Sequence, residues 1–177
     1  MLTIVAPPGS LAAMIGQRLP SSHAFQYPIA LVDAMPPART APLADLTDAD
    51  LEAGCIAPLT DLAAVIAGLL PDHCRIVLIG SSAGLGGWDA AICAAFAAGA
   101  TGLMRSTALE YAGAGVSLNM IALASADPGH VEGAAALAAG LLASDSVSGQ
   151  VIVCDGGANL RMRAARLRGT SALPSGQ

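Results

Sequence analysis

The stretch Arg75-Ile76-Val77-Leu78-Ile79-Gly80, continued by Ser81-Ser82-Ala83-Gly84-Leu85-Gly86-Gly87, decides the fold. Its first six residues form an apolar run with no polar alternation. Such a run suits a central strand of a parallel sheet, which is covered on both faces. The glycine-rich turn then releases the chain into an alanine-rich segment, which predicts a long helix from Asp89 to about Ala112.

The same alternation extends outward in both directions. Toward the N-terminus, Leu59 to Leu70 is an amphipathic helix stopped by Pro71. Thr47 caps a helix start with acids in its first turn. Residues 28–33 (PIALVD) predict a strand, and so do residues 2–6 (LTIVA). Between them Ser10 caps a helix that runs to about Arg18 and is ended by Pro20. Toward the C-terminus, residues 116–122 predict a strand, 132–143 a helix and 150–154 a last strand. Strands alternating with helices imply βαβ units. The expected fold is α/β and Rossmann-like, with a mostly parallel sheet of about five strands and flanking helices. One domain is expected over residues 1–160. Residues 161–177 are expected to form a tail, basic first and then flexible.

Composition narrows the function. The chain has 177 residues, a 54% hydrophobic share and only 12% charged residues, so it has the means to fold. Mean hydropathy is +0.63. Net charge is −5, which argues against nucleic acid as a partner. All eight basic residues are arginine. A chain without lysine cannot form a Schiff base, supply a Walker-A lysine or lower a tyrosine pKa with an ammonium. The cysteines, Cys55, Cys74, Cys93 and Cys154, lack CxxC spacing and read as free thiols of a cytoplasmic protein. The uncharged stretch Met1–Gln17 is shorter than the ~20 residues of a membrane span and is interrupted by Pro7, Pro8 and Gly9. It also lacks a basic leader, so neither a membrane span nor a signal peptide is expected.

From Asp45 to Gly157 the chain resembles the short-chain dehydrogenase/reductase family. RIVLIGSSAGLGG is similar to that family's strand and serine turn. GLMRSTALEYAGAGVSLNMIA is similar to its long helix and following strand, and LLASDSVSGQVIVCDGG to its C-terminal signature. The segment from Pro28 to Glu52 resembles the region after the family's fourth strand. The resemblance implies a doubly wound sheet that binds NAD(P) and an Asn–Ser–Tyr–Lys catalytic set. Carried over by position, the asparagine slot falls near Pro58 and the serine slot on Ser82, with Ser81 as the alternative. The tyrosine slot falls on Cys93 and the lysine slot on Ala97. Only the serine is retained. The Pro-Gly pair beside nicotinamide is matched by Leu123–Ala124.

The resemblance also shows what is missing. The family's TGxxxGxG loop is matched by APPGSLAAMIG, with Ala6 and Pro7 in place of Thr-Gly, and its NNAG motif by Asp33-Ala34-Met35-Pro36. Few residues separate the first helix from the strand at 28–33, where the family places two strands and a helix. Part of the N-terminal half is therefore lacking, and the first strand is expected at a sheet edge. These losses imply no catalytic residues and no bound cofactor, and no metal site is expected either. The expected function is a non-catalytic subunit. It would assemble with itself or with an active short-chain dehydrogenase/reductase through helices about 59–70 and 89–111, giving structural or allosteric support. Two rivals stand beside it: a residual or repurposed NAD(P)-dependent oxidoreductase, and a small-molecule binding module near Ser82 and Leu123.

Plainer roles are expected for the individual residues. Cys93 reads as a core residue rather than a nucleophile, and Ser82 as a turn or cap serine. His73 and Cys74 are adjacent, and His23 and His130 isolated, so none suggests a metal. Gly84, Gly86, Gly87 and Gly157 read as turn residues. The Arg161–Arg168 cluster reads as a solvated helix face, with a grip on a phosphate or acidic partner as the alternative. The small residues of AAICAAFAAGATG suit either close packing on the chain's own sheet or a helix seam between subunits.

Overall fold

The computed structural model describes residues 2–21, 25–37, 41–70, 73–86, 90–124 and 127–160. Several expectations lie outside these residues: the helix stop at Pro71, the helix start at Asp89, the isolated His23, the turn at Gly87 and everything from Arg161 onward.

Five strands form one parallel sheet: β1 (Leu2–Val5), β2 (Ile29–Ala34), β3 (Arg75–Ser81), β4 (Ser117–Leu123) and β5 (Val151–Cys154). Their spatial order equals their chain order, β1-β2-β3-β4-β5. β3 pairs with β2 from Arg75 to Gly80 and with β4 from Arg75 to Ser81. It therefore holds the central place its apolar run predicts, and all of its residues but Ser81 are buried. β1 pairs only with β2 and is a sheet edge.

Two hydrophobic layers sandwich the sheet. On one face α1 (Leu11–Gly16) and α5 (Pro128–Ala143) cover Leu31, Val77, Ile79, Ile121 and Leu123. On the other, α3 (Ala57–Gly68) and α4 (Ala91–Glu110) cover Ala30, Val32, Ile76, Leu78 and Met120. This placement has a topological consequence. Every crossover steps to the next strand in the same direction, yet the helices lie on both faces. The β1-α1-β2 and β4-α5-β5 units therefore have the opposite hand to the two units between them. Parallel βαβ crossovers are right-handed in nearly all cases, so this sheet carries two exceptions.

Local chemistry sets the helix boundaries. The Ser10 hydroxyl accepts from the Ala13 amide and starts α1. Thr47 and Asp50 form a reciprocal capping box that starts α2 (Asp48–Leu51). The two segments expected as separate helices around 47–70 are one helical run, joined by a π turn at Glu52–Ile56. Pro58 explains the wide turn. It has no N–H to donate four residues back, and its ring crowds the carbonyl there. α5 starts a turn earlier than its sequence period suggests, because Asp127 caps it and Pro128 fills its first position.

Candidate functional site

The carboxyl ends of the strands gather the residues that the sequence singles out. β3 delivers Ser81 at its last position and Ser82 at the start of a 3-10 turn, Ser82–Leu85. The capping serine is Ser81, whose hydroxyl accepts from the Ala83 amide at 3.1 Å. Ser82 is half-buried, and both serines line two hollows. The upper hollow, about 200 Å³, is closed by Ala124, Asp155 and Asn159. Asp155 is buried, and its carboxylate accepts from the amides of Gly157 (2.8 Å) and Asn159 (3.0 Å). The Asp-Gly-Gly segment is thus a turn capped by the Asp155 carboxylate at the rim of the site.

Ala97, in the family's lysine slot, packs against the Ser82–Leu85 turn. Its Cβ is 3.3 Å from the point where a side chain on Gly84 would begin. Gly84 is therefore small because helix α4 approaches so closely. Cys93, in the tyrosine slot, sits one turn earlier on α4. It is half-buried rather than fully inside, and its thiol donates to the Pro37 carbonyl at 3.4 Å. Pro58 is not in this cluster. It lines a different hollow of about 210 Å³, with Val5, Asp33, Asp61 and Phe96. The structure brings Ala97 against the turn that Ser82 begins, at Gly84, and places Pro58 on a separate hollow. Leu123 is buried in the core, whereas Ala124 reaches the rim.

A diphosphate cradle in the loop after β1 would need free backbone amides. Pro7 and Pro8 have no amide to offer. The Ser10 amide donates to the Pro7 carbonyl at 3.1 Å, and the Ala13 amide is taken by the Ser10 hydroxyl. A helix of six residues begins here, and of its first three amides that of Ala13 is engaged by Ser10. The loop thus offers fewer amide donors than a glycine-rich turn of the same length. Among the described residues, no group of three or more His, Cys, Asp or Glu side chains is placed to hold a metal ion.

A second cavity feature is invisible to motif reading. Thr101 and Arg105 lie on the flank of α4 that faces β5, with Met120, Val151 and Val153 opposite. Their spacing from Ala98, three and seven residues, puts all three on one helical flank. The sequence holds that spacing, but not the fact that edge strand β5 lies opposite.

At the other end of the sheet, Arg75 is buried with its guanidinium 4.4 Å above the Tyr27 ring. It donates to the Gly115 carbonyl and to Asp145 Oδ1, each at 2.6 Å, and Tyr27 stacks on His73. This cluster ties the chain before β2 and the loop after α5 to the floor of the sheet.

A scan of protein-family models finds no match to the chain, and a search of curated proteins finds none. Among solved structures, the chain is similar to a short chain dehydrogenase from Burkholderia cenocepacia J2315 crystallised in complex with NADP. The TM-score is 0.61 at 22% identity, over 85% of this chain and 73% of that one. Five parallel strands with flanking helices in this arrangement define a Rossmann-like protein with a short-chain-dehydrogenase-like fold.

Proposed function

We propose that the chain is a non-catalytic subunit built on this fold, and that it assembles through α3 and α4 with itself or with an active short-chain dehydrogenase. One observation carries the assembly. The helical run Asp48–Gly68 is apolar, with a mean hydropathy of 1.4 in its most apolar window, yet only 17% of that window is buried. Ile56 is 53% exposed on it. On α4, Ala95, Gly102 and Leu109 face outward as well. An apolar surface of this kind on a folded domain marks a contact with another molecule. Both helical stretches are also long and apolar enough to cross a membrane by length and composition. The capping box and the packing of α4 on the sheet support a protein partner instead.

The non-catalytic part rests on side-chain chemistry. Hydride transfer to or from a carbonyl needs a proton partner, and general acid–base catalysis of that kind supplies roughly 10²–10⁴-fold. Ala97 and Cys93, in the family's lysine and tyrosine slots, carry neither an ammonium nor a phenol.

Affinity capture of the tagged chain from its native source, with light scattering of the pure protein, tests the reading. The expected result is a dimer or a co-purified reductase, with no NADPH oxidation by the chain alone. A strictly monomeric chain that captures no reductase overturns the assembly. Saturable NADPH binding with turnover overturns the loss of catalysis.

A further inference from the structure

The cavity along α4 is about 270 Å³ and has a consistent chemical polarity from end to end. Leu85, Ala98, Met120, Ala122, Val151 and Val153 give it apolar walls. At one end stand the hydroxyls of Ser81 and Ser82, at the carboxyl end of β3. At the other end stands Arg105, seven residues beyond Ala98 and so about 10 Å further along the helix. Thr101 offers no donor to the interior, because its hydroxyl donates to the Ala97 carbonyl at 2.9 Å. Arg105 differs. Its Nε donates to the Gly149 carbonyl at 3.2 Å, which holds the stem in place. Its two terminal nitrogens have no protein partner among the described residues. A held guanidinium with both terminal nitrogens open presents the two-pronged geometry that a carboxylate matches. Ser82, in the family's serine slot, stands at one end of this cavity, whereas Cys93 and Ala97 are not among its walls.

We propose that the cavity binds a small amphipathic monocarboxylate, with the carboxylate on Arg105 and an alkyl chain of about six to eight carbons running toward Ser81 and Ser82. An apolar slot with one cation at its mouth selects this class on two counts. The chain is removed from water, and the charge is paired at the rim, where full desolvation is not required. An amine of the same length meets Arg105 with like charge. The proposal does not depend on the assembly described above.

Calorimetric titration of the full chain with octanoate, octylamine and 1-octanol tests it. Octanoate is expected to bind saturably. Octylamine is expected to bind at least about tenfold more weakly, and Arg105→Gln to weaken octanoate by about tenfold or more while leaving octanol unchanged. Val153→Trp, which fills the slot, is expected to abolish binding of both octanoate and octanol. Octanoate binding that is absent, indifferent to Arg105→Gln, or matched by octylamine overturns the proposal. Arg105 is exposed, so its variant decides the matter even if Val153→Trp fails to fold.

Discussion

At the scale of single residues, the most consequential group is Arg75. Its side chain is 7% exposed and its partner Asp145 is 66% exposed, so one end of the ion pair is inside and the other is wet. Solvent screens the carboxylate, but the guanidinium depends on it, because Nε is already without a partner. Asp145→Ala removes a charged hydrogen bond from a buried donor and is expected to lower stability by about 1–3 kcal/mol, read from urea midpoints at neutral pH. A variant as stable as the wild type would show that the Tyr27 face and the carbonyls of Cys74 and Gly115 suffice. Cys74 gives a pH-dependent expectation. Burial raises its thiol pKa above the ordinary value, against smaller lowering effects from a backbone hydrogen bond and Arg75. The folded state therefore favours the neutral thiol. The resulting stability is fully present below the unfolded-state pKa of about 8.5 and is lost as pH rises through the higher folded value. Cys74→Val is expected to flatten the alkaline fall in melting temperature. Part of that fall remains, because burial and the Asp155 charge also raise Cys154.

At the scale of elements, the π turn and its crossing with α4 show how one proline shapes a helix pair. Gly54 sits in the π turn, and a side chain there would begin 2.5 Å from Ile92 Cγ2 on α4. A β-branched neighbour on a helix has little rotamer freedom with which to move aside. Gly54→Val is expected to destabilise the protein by about 1–3 kcal/mol through overpacking, checked by thermal unfolding. Gly99 meets Leu59 at a similar distance, but Leu59 offers the movable end of a flexible side chain, so Gly99→Ala is milder. These contacts bear on the small residues of α4, for which two readings stood open. Ala97, Ala100 and Ala108 are buried, and Gly99 faces α3. Much of the small-residue content thus serves the chain's own packing. Ala95, Ala98 and Gly102 remain at the surface.

At the scale of the whole molecule, the sheet has two edges and the α3–α4 layer has an uncovered apolar outer side. Ile56→Glu places a charge on that side without touching the core. It is expected to convert any assembly through this layer to monomers, seen as a shift in light-scattering mass, while the circular dichroism spectrum is retained. An unchanged mass would move the interface elsewhere. Sheet order and crossover hand also belong to this scale, because neither follows from any one segment.

The sequence by itself determined most of the elements and the side-chain types they carry. The unbroken run 75–80, the caps at Ser10 and Thr47 and the absence of lysine are written within a few residues of one another, where backbone geometry and side-chain type act directly. The serine turn was legible for the same reason, although the cap belongs to Ser81 and not to Ser82. Only the tertiary structure decided that Pro58 stands apart from Ser82, that Arg75 is buried over Tyr27, and that Arg105 closes a slot against Val151 and Val153. Each of these depends on which faces of distant segments meet. That choice is made by burying apolar surface across the whole sheet, and no local pattern of spacing encodes it.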